Sequence, residues 1–379
     1  MAAVKHVALL IPRLDRIGGA ERQMMLLAKG LARRGWRVSG VALSSLGAEA
    51  ADELHAAGAE FLSLEMRKGL ADPRGWLRFH RWVQRQKPQV VHAHLPHAAW
   101  LARWSRLAAP VRVVIDTLHS SSTGSMGRRL AYRCSNWLPD RVTAVSEAVA
   151  EAHLAARMTT QSKLAVLPNG VDVEACRPDA DVRAALRREM GLEKAFLWIA
   201  VGRLEAVKDY PTLLWAMVET PETACLAIAG AGPLESELRG LAKALGLEGR
   251  VRFLGFEPEA RRWMQAADGF VLSSLWEGLP MALLEAAACG LPAVATDVAG
   301  TRAAVIEGRT GLLTAAEDAK ALAEALTRLM RMPAGERAAM GQQARRLAME
   351  RYSLEAVLDR WEALYEELLE RHAKPRRQG

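Results

Sequence analysis

Short apolar segments alternate with helical patterns along this 379-residue chain, and this alternation constrains its fold more than any other feature. Apolar runs at residues 7–11, 90–94 and 196–201 predict buried strands. Between such runs the apolar residues recur at helical spacing, as they do in residues 20–31. Strands that alternate with helices predict a parallel sheet with helices on both faces, so the fold class is α/β.

The alternation starts again near residue 196, which predicts two domains. Proline, asparagine and glycine gather at residues 168–178 and mark the join. We expect two doubly wound, Rossmann-like domains at residues 1–174 and 175–352. The last segment, 353–379, has the apolar spacing of an amphipathic helix with Ser353 as its N-cap, and it ends in a basic tail at 374–379 that we expect to fray.

The charge is unevenly distributed along the chain. Residues 1–175 hold 24 basic and 14 acidic side chains, a net charge of +10, whereas the remainder carries −2. This asymmetry indicates an anionic partner for the first half, which could be nucleic acid, acidic lipid or a phosphorylated substrate. Nucleic acid is the poorest of these because the sequence has no helix–turn–helix, RNP or zinc-finger pattern.

The four cysteines have no CxxC spacing, which argues against a zinc knuckle or a disulfide framework. Free thiols fit a reducing compartment, so we expect a cytoplasmic protein. No stretch approaches 18 consecutive apolar residues, and the first residues lack a cleavage site for a signal peptide, so no membrane span is expected.

Two glycine-containing loops follow predicted strands. Gly18-Gly19 could bring the backbone and a helix N-terminus close to a phosphate, or could be an ordinary turn. Gly202-Arg203, with Lys208 five residues later, lies past the carboxyl end of a strand, where α/β sheets bind ligands. The two cations suit a diphosphate, or they are solvated surface charges.

The most specific motif is the segment 274–286, which contains Glu277, Pro280 and Glu285. Pro280 suits the first turn of a helix, so Glu277 lies in the loop before it and Glu285 lies inside it. Eight steps along a helix span roughly 12 Å. Glycosidase carboxylate pairs lie about 5–9.5 Å apart, so these glutamates suit two points on a longer ligand rather than one bond. The alternative is a capping residue and a surface residue.

Histidines and a basic helix complete the candidates. His92 and His94 share a strand face near His97, but no nearby carboxylate or thiolate completes a metal site, so no metal is expected. His119 follows a strand at the ligand edge and suits hydrogen bonding or proton transfer, although a structural role is equally open. Residues 76–87 combine tryptophan with cations, which favours a packed helix with a basic outer face over docking on anionic lipid.

Taken together, these motifs resemble the retaining glycosyltransferases of family four, which have the GT-B fold. The resemblance runs through most of the chain in the family's order, and the E-x7-E element is its strongest part. The matching segments are Gly18-Gly19, His119, Val145-Ser146, 168–172, Gly202-Arg203 with Lys208, 230–233, and Glu277 to Glu285. The family implies two domains that face a cleft, with the first binding an acceptor, the second a nucleotide sugar, and the last helix packing back on the first.

The resemblance also implies roles for individual residues. Arg203 and Lys208 would hold the donor diphosphate and stabilise the leaving group, while Glu285 would bind the ribose. Glu277 would hold the transferred sugar, and His119 would approach that sugar. The implied catalytic residues are therefore His119, Arg203, Lys208 and Glu277. The implied donor-binding residues are Gly18, Gly19, Gly202, Gly232, Phe256, Gly278, Leu279, Pro280 and Glu285.

The expected function is that of a retaining transferase. It would move a hexose-type sugar from a nucleotide sugar, UDP-linked ahead of GDP-linked, to a glycan or lipid-linked acceptor in bacterial-type surface polysaccharide or glycolipid synthesis. No cofactor or metal is expected, because no DxD-like motif occurs near the donor residues. The basic first domain adds an anionic membrane face as a further partner. The alternatives are a GT-B epimerase or hydrolase, and a non-catalytic sugar-nucleotide-binding protein.

Overall fold

The computed structural model describes residues 4–15, 18–67, 72–109 and 111–373, so the basic tail at 374–379 lies outside the described residues. The chain divides into two compact units. Unit 1 comprises Met1–Gly170 and Leu354–Gly379, and unit 2 comprises Val171–Ser353. Each unit contains one parallel sheet with helices interleaved between its strands, which confirms the α/β fold class. The acceptor and donor roles drawn for the domains 1–174 and 175–352 stay a prediction.

In the described part of unit 1 the sheet has seven strands in the order β3-β2-β1-β4-β5-β6-β7. Every neighbouring pair in it is parallel. The strands are β1 (His6–Ile11), β2 (Arg37–Ala42), β3 (Glu60–Ser63), β4 (Val90–His94), β5 (Val113–Leu118), β6 (Arg141–Ala144) and β7 (Leu164–Val166). The helices are α1 (Gly19–Arg33), α2 (Ala48–Ala56), α3 (Pro73–Gln86), α4 (Pro96–Ser105), α5 (Met126–Ser135), α6 (Glu147–Ala155) and the last helix, α15 (Leu354–Ala373).

The last helix belongs to the core of unit 1. Its apolar stripe, which includes Val357, Leu358 and Trp361, is buried in one cluster with α1, α2 and β1. Gly30 of α1 lies against Leu358, and a Cβ at Gly30 would come within 2.4 Å of a Leu358 methyl carbon. Helices α1 and α15 are therefore in close contact, and this contact ties the end of the chain to its beginning.

In the described part of unit 2 the sheet has six parallel strands in the order β10-β9-β8-β11-β12-β13. The strands are β8 (Phe196–Val201), β9 (Ala224–Ala229), β10 (Val251–Gly255), β11 (Gly269–Leu272), β12 (Ala293–Thr296) and β13 (Gly311–Thr314). The helices are α7 (Ala180–Glu189), α8 (Tyr210–Val218), α9 (Glu235–Ala244), α10 (Ala260–Ala266), α11 (Met281–Ala288), α12 (Ala299–Arg302), α13 (Ala319–Arg331) and α14 (Ala334–Tyr352).

The basic helix α3 uses its apolar residues inside unit 1. Phe79 and Val83 are buried, and Trp82 stacks on Phe79 with ring centroids 6.0 Å apart. Arg78 donates to the carbonyl of Leu64 at 2.6 Å. The structure therefore supports the interpretation of α3 as a packed helix with a basic outer face.

A fully buried ion pair joins α4 to β5. Nε of Arg103 lies 2.5 Å from Oδ2 of Asp116, and both side chains are 0% exposed. Arg103 also donates to the carbonyl of Tyr132 and to Oγ of Ser135, and its guanidinium stacks over the Tyr132 ring at 4.3 Å. One arginine therefore holds α4, α5 and the sheet together.

We predict that Arg103→Met destabilises the protein by about 3–5 kcal/mol, because it leaves the carboxylate of Asp116 buried without its cation. Urea unfolding followed by circular dichroism measures the change. The control is Arg13→Met, which breaks the exposed pair with Asp15 and should cost only about 0–1 kcal/mol. Equal losses in the two variants would contradict the structural role of Arg103.

Candidate functional site

The strand order of unit 2 reverses between β8 and β11. The chain leaves β8 toward β9 on one side and later returns on the other side with β11. Loops that follow two such strands diverge and open a crevice at the carboxyl edge of the sheet, where ligands bind in open α/β folds. Lys208 follows β8 and Glu277 follows β11, so both candidate residues lie at this edge.

The loop after β8 is fixed by backbone and side-chain hydrogen bonds. The Gly202 N–H donates to the carbonyl of Ala229 at 3.0 Å, and the hydroxyl of Tyr210 donates to the carbonyl of Gly202 at 3.0 Å. Burial raises the pKa of Tyr210, so its phenol stays neutral and can donate. Asp209, the N-cap of α8, has a left-handed backbone with φ 46°. Strained backbone of this kind is frequent at functional sites, and here it directly follows Lys208.

Two glycines after β9 allow the neighbouring loop to approach closely. A Cβ at Gly230 would lie 1.9 Å from the carbonyl oxygen of Gly202, and Gly230 also has φ +154°. A Cβ at Gly232 would lie 2.4 Å from the carbonyl oxygen of Leu204. A side chain at either position would push the loop that carries Lys208 out of place. Gly232 therefore has a packing role, and its predicted contact with a donor stays a prediction.

Lys208, Glu277 and Ser274 form one hydrogen-bonded cluster. Nζ of Lys208 lies 2.5 Å from Oε1 of Glu277, and Oγ of Ser274 donates to the same oxygen at 2.7 Å. The side chains of Lys208 and Glu277 are only 19% and 12% exposed. Within the residues that the structure describes, Oε2 of Glu277 has no hydrogen-bond partner. The carboxylate is thus oriented through one oxygen while the other can accept hydrogen bonds from a ligand.

Glu277 and Glu285 occupy the two kinds of position that their spacing predicts. Glu277 lies in the loop before α11, which begins at Met281 after Pro280, and Glu285 lies inside α11 and is 8% exposed. Gly278 and Leu279 connect the two elements, and Leu279 is buried.

Two other predicted donor residues lie apart from this cluster. The guanidinium of Arg203 is 64% exposed and pairs with Glu205 at 3.1 Å. Phe256 follows β10 and is 61% exposed, so its side chain is not packed in the core. The structure does not bring either side chain to Glu277, and their donor-binding roles stay predictions.

The sequence did not predict several residues that support this loop. Ser274 lies inside the motif but was not predicted as a site residue. The signal that could have identified it is its position three residues before Glu277, a spacing that suits a local hydrogen bond. Gly300 gave no signal. A Cβ at Gly300 would come within 2.6 Å of the Glu277 backbone. Thr296 donates to the carbonyl of Ser274 at 2.6 Å. These contacts come from elements remote in sequence, and they set the position of the glutamate.

Unit 1 has a corresponding edge between β1 and β4, where its strand order reverses. Gly18 and Gly19 begin α1 after β1, and the Gly18 N–H donates to Oε2 of Glu21 at 3.0 Å. His94 ends β4, and His119 follows β5. The backbone of Leu95 is left-handed with φ 71°, which is strained for a leucine and lies beside His94.

The histidines at this edge lie close together, with His92 and His94 buried and His119 half-buried. Nδ1 of His94 lies 2.9 Å from Nε2 of His119. The neighbouring His92 bonds Thr117 and the hydroxyl of Tyr365 at 2.6 and 2.7 Å. Burial lowers the pKa of His119 to about 4 and that of His92 to about 3, and it also lowers the pKa of His94. All three imidazoles are therefore neutral near pH 7. No group of three His, Cys, Asp or Glu side chains in the described ranges could hold a metal ion.

Comparisons with known proteins identify the family. Residues 17–175 match the model "Glycosyltransferase Family 4", and residues 182–347 match "Glycosyl transferases group 1". A relative from Mycolicibacterium smegmatis, a GDP-mannose-dependent alpha-(1-6)-phosphatidylinositol monomannoside mannosyltransferase, is 32% identical over 67% of this chain and 70% of its own length. This chain belongs to the family-four glycosyltransferases.

Two further proteins resemble this glycosyltransferase. The UDP-Gal:alpha-D-GlcNAc-diphosphoundecaprenol alpha-1,3-galactosyltransferase of Escherichia coli is 26% identical over 69% of this chain and 71% of its own length. The crystal structure of Anabaena HepE in complex with UDP-glucose has a TM-score of 0.86 at 21% identity, covering 96% of this chain and 99% of that one. The fold is therefore that of the GT-B glycosyltransferases. Among the described helices of this glycosyltransferase, none is long and apolar enough to cross a bilayer.

The hydrogen bond between His94 and His119 allows the tautomers of the two histidines to be predicted. Nε2 of His94 is buried and lacks a partner among the described residues. Orphaned N–H groups are rare in protein interiors, so we expect the His94 proton on Nδ1, donating to Nε2 of His119. His119 then carries its proton on Nδ1. Nitrogen-15 NMR of labelled histidine should show the Nδ1–H tautomer of His119.

We expect His94→Phe to remove this tautomer preference while leaving the pKa of His119 low, since burial causes that shift. His97→Phe is the matched control, because His97 is exposed and lies outside the pair. A wild-type His119 with its proton on Nε2, or a His94→Phe protein with an unchanged tautomer, would refute the assignment.

Proposed function

We propose that this glycosyltransferase is a retaining hexosyltransferase. It moves a hexose from a nucleotide sugar, with UDP ahead of GDP, to a glycan or lipid-linked acceptor in the synthesis of a bacterial-type surface polysaccharide or glycolipid. The carrying observation is the cluster of Lys208, Glu277 and Ser274 at the carboxyl edge of the unit 2 sheet. In this cluster the ammonium of Lys208, which can bind phosphate, lies beside the carboxylate of Glu277, whose Oε2 can accept hydrogen bonds from sugar hydroxyls.

The comparisons support the substrate classes. The names of two relatives specify UDP-galactose and GDP-mannose dependence, with a diphosphoundecaprenol-linked and a phosphatidylinositol-linked acceptor. The Anabaena protein was crystallised with UDP-glucose. Each acceptor carries both phosphate and lipid, and the net charge of +10 in residues 1–175 suits such a molecule.

The reaction breaks the bond between the sugar and the diphosphate, and negative charge develops on the departing nucleotide. We propose that Lys208 and Arg203 stabilise this charge. Arg203 would have to exchange Glu205 for the diphosphate, which its exposure allows. The Lys208 ammonium is already held in place, so little reorganisation is needed there.

The remaining residues bind the donor. We propose that Oε2 of Glu277 and the N–H groups that follow Gly278 hold the transferred sugar, Glu285 binds the ribose, and Phe256 lines the base. His119 contacts the transferred sugar as a neutral hydrogen-bonding group, consistent with its low pKa. Gly18, Gly202, Gly232, Leu279 and Pro280 shape the loops that carry these groups. The anomeric configuration is kept by attack on the face that the nucleotide leaves, so no enzyme nucleophile is assigned.

Lys208→Ala should lower kcat by about 100- to 1000-fold, because it removes a fixed charge from the developing diphosphate. A thermal-shift panel of UDP-, GDP-, ADP- and CMP-sugars first identifies the donor, since a ligand at about 100 times its Kd adds roughly 2.7 kcal/mol of stability. Transfer is then measured with that donor, and proton NMR of the product reports the anomeric configuration.

Lys194→Ala is the matched control, because Lys194 is an exposed lysine of the same unit. Full activity in Lys208→Ala would contradict the assigned role. An inverted product would refute the retaining mechanism. Sugar release at the same rate with and without acceptor would favour the hydrolase alternative, and donor binding without turnover would favour the non-catalytic one.

We also predict that chelation leaves transfer unchanged, because the proposal assigns the leaving-group charge to Lys208 and Arg203. Initial rates are compared in excess EDTA and in added Mg²⁺ or Mn²⁺. Loss of activity in EDTA, with recovery on adding one of the metals, would show that a metal ion shares this task.

A further inference from the structure

Helix α5 of unit 1 has an apolar outer face. Met126, Leu130 and Cys134 follow one another at intervals of one turn, and all three are exposed, with Met126 at 72% and Leu130 at 60%. The opposite face, with Tyr132 and Ser135, is buried against Arg103. This is the reverse of a normal surface helix, whose apolar side faces the core.

A rigid turn extends this face. Trp137 follows α5 and is 64% exposed. The ammonium of Lys163 donates to the carbonyls of Asn136, Trp137 and Pro139 at 2.7, 3.2 and 2.7 Å. Because these bonds hold the backbone of the turn, the fold itself places Trp137 on the outside. We name Met126, Leu130, Cys134 and Trp137, with Arg133, the α5 surface; Arg128 lies on the Tyr132 side of the helix.

The charges on α5, both on the α5 surface and on the rest of the helix, are all positive. Arg128 and Arg133 are exposed, and in the described residues neither forms an ion pair. The sequence from 124 to 139 contains no Asp or Glu. Apolar groups beside uncompensated arginines match an interface that is apolar inside and anionic at its edge, which is the chemistry of an acidic lipid bilayer.

We propose that the α5 surface docks this protein on an anionic membrane. A second copy of the chain is a poorer occupant, because two α5 surfaces would bring like charges together. Helix α3 is also a poorer membrane contact. It is basic, but it buries Phe79 and Val83 and exposes only Leu77 among its large apolar residues. Docking through α5 goes beyond sugar transfer and needs no nucleotide sugar.

The position of α5 suits a lipid-linked substrate. The helix begins seven residues after His119, so at about 3.3–3.6 Å per residue its start lies within roughly 25 Å of that histidine. If His119 contacts the substrate as proposed above, docking through α5 would keep that edge of unit 1 near the lipid surface.

Vesicle co-sedimentation tests the proposal with the full chain and no nucleotide. The wild type should bind phosphatidylglycerol–phosphatidylcholine vesicles at least about tenfold more tightly than vesicles of phosphatidylcholine alone. The double variant Met126→Ser/Leu130→Ser should lose at least about tenfold of this affinity. Arg128→Gln/Arg133→Gln should weaken binding and reduce its dependence on salt. The matched control on α3, Leu77→Ser/Arg81→Gln, should retain most of the affinity.

An environment-sensitive fluorophore on the exposed Cys134 gives a direct readout, because its emission should shift to the blue only when phosphatidylglycerol is present. All substituted side chains are exposed, so circular dichroism and Tm should match the wild type. Equal binding to both vesicle types, no binding at all, or loss of binding only in the α3 variant would each overturn the proposal. So would a dimer that Met126→Ser/Leu130→Ser converts to monomer, since a second copy would then cover the face.

Discussion

The reversal of strand order in each sheet is the constraint on which the candidate sites depend. In a parallel sheet whose strands are joined by helices, successive strands are added on one side of the first strand. When the chain then continues on the other side of that strand, the loops that follow the two neighbouring strands turn away from each other. This occurs between β8 and β11 in unit 2 and between β1 and β4 in unit 1. Lys208 and Glu277 lie on the divergent loops of one sheet. His94 and His119 lie at the corresponding edge of the other.

At the unit 2 edge, the carboxylate of Glu277 is oriented because both of its hydrogen-bond partners bind the same oxygen. Oε1 of Glu277 is bonded by Lys208 and Ser274, while Oε2 is left for other donors. These two partners hold the carboxylate in one orientation. The backbone around this pair is equally constrained, since Gly300 and Gly230 each lie where a Cβ would clash with a neighbouring loop.

The positive charge of the first half of the chain has two different uses in the structure. Some of the cationic side chains form ion pairs that connect elements of unit 1. Arg103 joins α4 to β5, and Arg34 pairs with Asp359 and Glu362 of the last helix. Others, such as Arg81 of α3 and Arg133 of α5, are exposed and form no ion pair within the part of the chain that the structure describes. The net charge of the sequence therefore describes the overall electrostatic potential. Only the folded structure shows which cationic side chains stabilise unit 1 and which are exposed to an anionic partner.

The sequence by itself determined the fold class and the strongest elements. The strands at 90–94 and 196–201 lie where their apolar runs predict them, and α1 covers the helical pattern of residues 20–31. It did not predict α5, whose apolar residues point outward, or α14, whose buried face includes the small Gly341 and Ala344. Hydrophobic periodicity identifies a helix only when its large apolar residues face the core.

For the candidate site, local spacing was enough to place Glu277 in a loop and Glu285 in a helix. Tertiary structure alone joined Lys208 to Glu277 and His94 to His119, whereas the Arg203 guanidinium pairs locally with Glu205, two residues along the chain. Each residue's chemistry and its place on a strand or helix are encoded locally. Which oxygen or nitrogen it meets depends on strands and loops that are far apart in the chain, and only their packing decides it.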